Sequence, residues 1–540
     1  MREDFGRKVE GAVQTAGLDA QAAAEAALNR VAFGPRPGEA ERLASGGLVN
    51  WLESQLDADL PETMLETRLA DIPAAHLGAI ETMYRYPDLG KIYAHARHAY
   101  DLIPPRGSPQ DSDWVKRKID KFRLEQGYQN QDEVLYPELT GQKILRAVLA
   151  SNQLREILTD FWFNHFYVSF TKYSARVWIL AYERDVIRPN VLGSFRTLLG
   201  ATAHHPAMLF YLDNNQSVAG AGVPTTYQIE IVRLREQHGE AATGIIAAIE
   251  SELQAIEDDE QIILDKEFRP RAGINENYAR ELMELHTLGV NGGYTQIDVS
   301  EVARALTGWT VHPLGCTSEW FKRGFDVARR TKFYRNDAFL FRPDWHDAAE
   351  KQVLGHTLPA GRGMEDGENV LDLLAGHSST AQFLARKLAE RFVDDQPPEE
   401  AVGALTDVFL ESYGDLRQVM KTLLSLPEFW IAAANKTRIK SPLFYAASAV
   451  RAMDARIEDA KSLAEWIARM GQPLYGYKAP TGFPDRGVFW INAGAMLNRM
   501  SFAVSLANNK IAGVGTPAHF SGAEGRNAGI RIGGPNFQQH

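Results

Sequence analysis

Two glutamates three residues apart, Glu281 and Glu284, carry the densest chemistry in this sequence. They lie in Ile274-Asn275-Glu276-Asn277-Tyr278-Ala279-Arg280-Glu281-Leu282-Met283-Glu284-Leu285-His286-Thr287-Leu288-Gly289, where Asn275 suits a helix N-cap and Gly289 a C-terminal stop. At about 100° per residue, Asn277, Arg280, Glu281, Glu284 and Leu288 fall within one arc, and the rest of the helix is mostly apolar. His286 falls on the opposite side, which predicts a satisfied, partly buried ring and not a partner for the carboxylates. If the polar stripe faces a cleft, the two carboxylates can share a proton, hold a divalent cation, or divide into acid and base. If it faces water, Arg280 pairs with Glu284 at i, i+4 and adds a few tenths of a kcal/mol. Spacing alone leaves both readings open.

Other residues could complete such a site. His346-Asp347 ends the aromatic stretch Phe341-Arg342-Pro343-Asp344-Trp345, and a loop histidine beside carboxylates is a general base, a metal ligand, or a ring bonded to Asp344 or Asp347. His346 joining Glu281 and Glu284 would give the three-ligand set of a hydrolytic site built on a divalent metal. Arg280 or Lys351 would balance its charge, and Asn277, Arg304 and Trp309 join these two as candidate substrate contacts. The turn at Val290–Thr295 and the following helix, with Glu301, Arg304 and Trp309, build either a concave polar site or a hairpin with ion pairs outside. Phe161–Phe166 gathers aromatic rings around Asn164 and His165 and reads as a core stripe. His204 and His205 diverge by about 100° and do not chelate together. Trp490, Asn492, Asn498 and Arg499 are a sugar-binding combination, but the favoured reading is that they pin a late segment to the core.

The elements that must hold these residues are helices. Residues 142–170 read as one long helix, 227–267 as a charged helical hairpin broken near Gly239 and Gly244, and 378–393, 399–413 and 414–433 as three more helices. Glycine and proline gather after Gln472, and the last segment looks like a loose, Gly-rich tail. The expected fold is mainly α, a compact multi-helix assembly with long loops and a projecting charged hairpin. Its expected divisions are an N-terminal segment over 1–23, a single large helical domain over 24–505 and a tail over 506–540.

Composition narrows the function classes. With 540 residues and 45% hydrophobic content the chain can bury a large core, and its formal net charge of -11 argues against a general nucleic-acid or anionic-membrane binder. The basic run Arg329-Arg330-Thr331-Lys332 reads as a solvated loop. A single cysteine, Cys316, rules out an internal disulfide, a cysteine zinc cluster and a CxxC pair. No stretch has the length and apolarity of a membrane span, and the N-terminus has no leader pattern, so the expectation is a cytoplasmic protein or an exported one written without its leader. No phosphate-binding glycine motif, nucleophile elbow or H-E-x-x-H occurs.

The wording of Asn275–Val290, of Gly293-Tyr294-Thr295-Gln296 and of Ala303-Arg304-Ala305-Leu306-Thr307-Gly308-Trp309 closely resembles the bacterial domain-of-unknown-function 1800 family. Similar pieces follow in the family's order: Asn29–Pro35, Phe161–Phe166, Pro206–Leu209 with Tyr211–Asn214, His346-Asp347 with Lys351 and Leu354-Gly355, and Trp490–Arg499. The resemblance covers roughly residues 24–505 and implies a large, helix-rich, frequently exported protein, often encoded beside a sulfatase-like partner. It implies no activity. The missing leader and the length of the 227–267 hairpin depart from the pattern. Because Asn275, Asn277, Arg280, Glu281, Glu284, Arg304, His346, Asp347 and Lys351 all fall in motif positions, the resemblance weighs against mere solvated surface. The leading expectation is a carboxylate-centred hydrolase, metal-assisted or acid–base, on a polymeric or cell-envelope substrate. Its rivals are a scaffold whose charges form a buried salt-bridge network and a glycan-binding protein.

Overall fold

Short amphipathic helices build the molecule: among the described residues 66% are helical and 5% lie in strands. The computed structural model describes residues 2–98, 112–263, 273–312, 335–336, 338–520 and 523–540. Cys316, the basic run at 329–332 and residues 104–109 lie outside them, as do residues 264–267 of the hairpin.

One connected set of buried apolar side chains runs from Phe5 to Ile532, so the two ends of the chain share a core. Buried arginines tie distant segments across it. Arg30, fully buried, donates to the carbonyls of Phe392, Val393 and Ala432 and to Thr437 Oγ1. Arg451 donates to the carbonyls of Gly34 and Val148 and to Glu39. A buried guanidinium is tolerated when its donors find acceptors, and here backbone carbonyls supply most of them.

Three sequence expectations change. The long helix over 142–170 is two, Tyr136–Leu149 and Gln153–His165. The break is held by Glu62, whose carboxylate accepts from the backbone N–H groups of Ser151 and Asn152 and from the Asn152 side chain. The pattern over 414–433 divides into Leu416–Leu424 and Pro427–Asn435, because Pro427 has no N–H to continue a helix and fits its first turn. The final segment is no loose tail: Ala523–Gly533 is a helix packed on Ala493–Ala507. Its glycines recur every fourth position and form a smooth face. A Cβ at Gly529 would meet Ala507 Cβ at 3.0 Å, and one at Gly525 would fall 2.0 Å from the Phe520 carbonyl oxygen.

The charged hairpin forms from Thr226–His238 and Ala242–Ile263, with Ile231, Ala242 and Ile246 packed on one another. A three-stranded antiparallel sheet sets Phe339–Phe341 between Trp309–Val311 and Arg335–Asn336, and a β-hairpin follows at Lys351–Val353 and His356–Leu358. The Trp309 indole is fully buried, stacked on His204 at 4.6 Å. Gly367 lies flat against it, where a Cβ would sit 2.4 Å from the ring. No helix among the described residues is long and apolar enough to cross a membrane.

Candidate active site

The acidic segment starts as a helix at Glu276 because Asn275 Oδ1 accepts from the Asn277 N–H at 3.0 Å. The two asparagine amides then anchor it: Asn275 Nδ2 donates to the Asp213 carbonyl at 2.9 Å and Asn277 Nδ2 to the Leu212 carbonyl at 3.2 Å. Glu276–Glu281 is ordinary α-helix, and Leu282–His286 widens into a π-helical turn, a rare form that clusters at functional sites. Thr287 closes it with a hydroxyl bond of 2.7 Å to the Leu282 carbonyl. Gly289 stops it at φ +81, its α-carbon so close to the Phe383 ring that a Cβ would fall 3.0 Å from Cδ2.

Tyr278, Ala279, Leu282, Met283 and His286 point into the core, leaving Arg280, Glu281 and Glu284 half-buried at the surface and Asn277 exposed. Glu281 accepts no hydrogen bond and forms no ion pair with the described residues. Burial, and then the charge of Glu284, raise its pKa above the usual carboxylate value, against a smaller opposing pull from Arg280. Glu284 has the Tyr294 hydroxyl 3.5 Å from one oxygen. Tyr211, buried behind the pair, has its phenol pushed up by burial and by the charge of Glu281. Arg280 does not pair with Glu284. It turns back to Glu276 at 3.2 Å and to Gln296 at 2.8 Å, and Ser300 also donates to Glu276 at 2.6 Å. His286 is fully buried, beyond the partial burial expected; its ring is pushed down to about 3 and its carbonyl accepts from His165 Nε2 at 3.0 Å.

The remaining candidates gather elsewhere. His346, fully buried, has Nδ1 2.8 Å from the Thr307 carbonyl and Nε2 3.4 Å from Asp366. Lys351 Nζ donates to Asp366 at 2.7 Å and to the Asp347 carbonyl at 2.6 Å, and Arg362 reaches Asp366 at 2.9 Å. Arg304 bridges Asp347 and Glu301. These groups are paired with one another, and the Trp309 indole is fully buried. Among the described residues no three His, Cys, Asp or Glu side chains converge as a metal site, so Glu281, Glu284 and His346 do not form the anticipated ligand set.

Residues 26–532 match the family described as Protein of unknown function (DUF1800). The chain belongs to the DUF1800 family. No curated protein and no solved structure matches it.

The DUF1800 motifs fall into two groups by what their side chains do. The asparagines 275 and 277, Arg304, His346, Asp347 and Lys351 join segments to one another, while among the described residues Glu281 and Glu284 join nothing beyond the Tyr294 contact. A second polar recess, missed in the sequence, lies behind the Phe161–Phe166 motif. It is a cavity of about 70 Å³ lined by Lys143, Asp160, Asn164, Arg391, Arg438, Tyr475, Asp485 and Trp490, among others. Lys143 is held between Asp160 at 2.9 Å and Glu183 at 2.8 Å, and the Tyr475 hydroxyl bonds Glu183 from behind. Asn164 grips the Gly/Pro loop: its Oδ1 accepts from the Phe483 N–H at 2.7 Å and its Nδ2 donates to the Phe483 carbonyl at 2.8 Å. The i, i+4 pairing of Asp160 with Asn164 was the available signal; the partners on other segments gave none.

Proposed function

We propose that this DUF1800 protein is a hydrolase working by carboxylate acid–base chemistry on a hydroxyl-rich polymer of the cell envelope. Glu281 is the general acid and Glu284 the base. The observation that carries the reading is Glu281 itself, a half-buried carboxyl with no bonding partner among the described residues and a raised proton affinity, three residues from a second carboxylate. Two neighbouring carboxyls in unlike surroundings are the usual means of dividing acid from base. Glu281 holds its proton for the leaving oxygen, while the Glu284 oxygen turned away from Tyr294 takes one from water. Their half-exposed position on the surface suits a polymer better than an enclosed metabolite. A sulfatase-like partner, implied by family resemblance, would work on the same hydroxyl-rich class of substrate.

A second reading is favoured by the His346–Asp366–Lys351 network: a scaffold in which charged motif residues fix the fold. Release of new chain ends from purified envelope polysaccharide separates the two. The hydrolase reading expects release by the wild-type protein and a loss of about 10²–10⁴-fold in both Glu281→Gln and Glu284→Gln with no fall in unfolding temperature. Equal rates in all three proteins would remove it.

A further inference from the structure

The recess behind Asn164 brings two guanidinium groups, Arg391 and Arg438, onto its walls. Its carboxylates are already engaged: Asp160 with Lys143 at 2.9 Å, and Asp485 with Lys387 at 2.7 Å. The two guanidinium groups keep N–H groups with no hydrogen-bond acceptor among the described residues. Arg391 forms no hydrogen bond or ion pair with the described residues; its guanidinium carbon lies 5.4 Å from the Phe392 ring centre and 5.6 Å from that of Phe444. Arg438 is 3% exposed and donates through Nη2 to the Asp485 carbonyl at 2.8 Å. Its Nε and Nη1 find no hydrogen-bond acceptor among the described residues, Nη1 forming only a loose ion pair with Asp395 Oδ1 at 3.5 Å. Burial, and then the charge of Arg438, lowers the proton affinity of Arg391; burial lowers that of Arg438 against the pull of Asp395, Asp485, Asp394 and Glu390.

Unsatisfied N–H groups on a buried guanidinium are costly in a folded protein, and an oxyanion that presents two oxygens side by side is the partner whose geometry they match. We propose that this recess is a binding site for the oxyanion group of a small ligand, a phosphate or a carboxylate, held by Arg391 and Arg438. Ser441, whose hydroxyl oxygen caps the helix Pro442–Ala452, also lines the recess and has a hydroxyl proton to offer. Phe444, Phe483 and Trp490 supply apolar wall for the rest of the ligand. This site is separate from the Glu281–Glu284 pair and does not rest on the hydrolase reading.

The test is calorimetric unfolding of the full chain with inorganic phosphate or acetate as probe, at constant ionic strength. The wild-type protein is expected to show a saturable rise in unfolding temperature with one of them. The responding anion tells whether the site takes phosphate or carboxylate. Arg391→Gln removes no hydrogen bond or ion pair with the described residues, only two distant ring contacts, so without the anion it should unfold close to the wild-type temperature, and its apparent affinity should fall at least tenfold. Glu281→Gln should respond as wild type. No saturable response to either anion overturns the proposal, as does an unchanged response in Arg391→Gln. Loss of the response in Lys440→Met, with Arg391→Gln unaffected, also overturns it, by placing the anion in the neighbouring cavity that Lys440 lines.

Discussion

At the scale of single residues, the DUF1800 motif side chains differ in whether anything satisfies them. Lys351 and Asp366 are both fully buried and bonded to each other, so removing Lys351 leaves a buried carboxylate with Arg362 as its remaining cation among the described residues. Lys351→Met should lower stability by about 3–5 kcal/mol, read from denaturant unfolding. Glu281 behaves in the opposite way. Its pKa is raised in the folded protein, so its contribution to stability is fully present below the unfolded value of about 4.3 and is lost as pH rises through the folded value. Glu281→Gln should therefore unfold slightly above wild type at neutral pH, with the gain vanishing below about pH 4. A drop at neutral pH would mean that the carboxylate has a stabilising partner. Lys440 sits 4.3 Å from the Phe537 ring centre with Lys436 and Arg499 as its charged neighbours, and burial lowers it to about 7. Between that value and the unfolded value of about 10.4 the unfolded chain binds more protons, so stability rises with pH across this window. Lys440→Met should be more stable than wild type by a few kcal/mol below pH 7, and the difference should shrink towards pH 10.

At the scale of elements, the sequence told most where one helix carries its own signal. The polar stripe Asn277–Arg280–Glu281–Glu284 and the inward side of His286 were legible from 100° spacing, and they hold in the structure. The π-helical turn at Leu282–His286 was not, because it depends on how Thr287 and Gly289 pack against neighbours. Arg280 chose Glu276 over Glu284 because Gln296 and Ser300, from the next helix, had already fixed that carboxylate. The break at Ser151-Asn152 needed Glu62, some ninety residues away. The last helix was hidden for a different reason: its glycines are poor helix formers alone and become favourable only against the small residues Ala503 and Ala507. Gly525→Val should cost about 1–3 kcal/mol by overpacking, and amide exchange should show Ala523–Gly533 losing protection before the rest of the chain.

At the scale of the whole molecule, a single core fastened by buried arginines holds two separate polar sites. One is a carboxylate pair at the surface, the other a recess with unsatisfied guanidinium groups. The sequence pointed to the first and joined it to His346; tertiary structure put His346 into a network of its own. The central claim is that Glu281 protonates the leaving group while Glu284 activates water. Leaving-group dependence tests it most directly. With an activated nitrophenyl glycoside, whose departure needs no proton, Glu281→Gln should recover most of the rate that it loses on the polymer, and Glu284→Gln should recover none. Equal losses by both variants on both substrates, or no loss by either, would contradict the assignment.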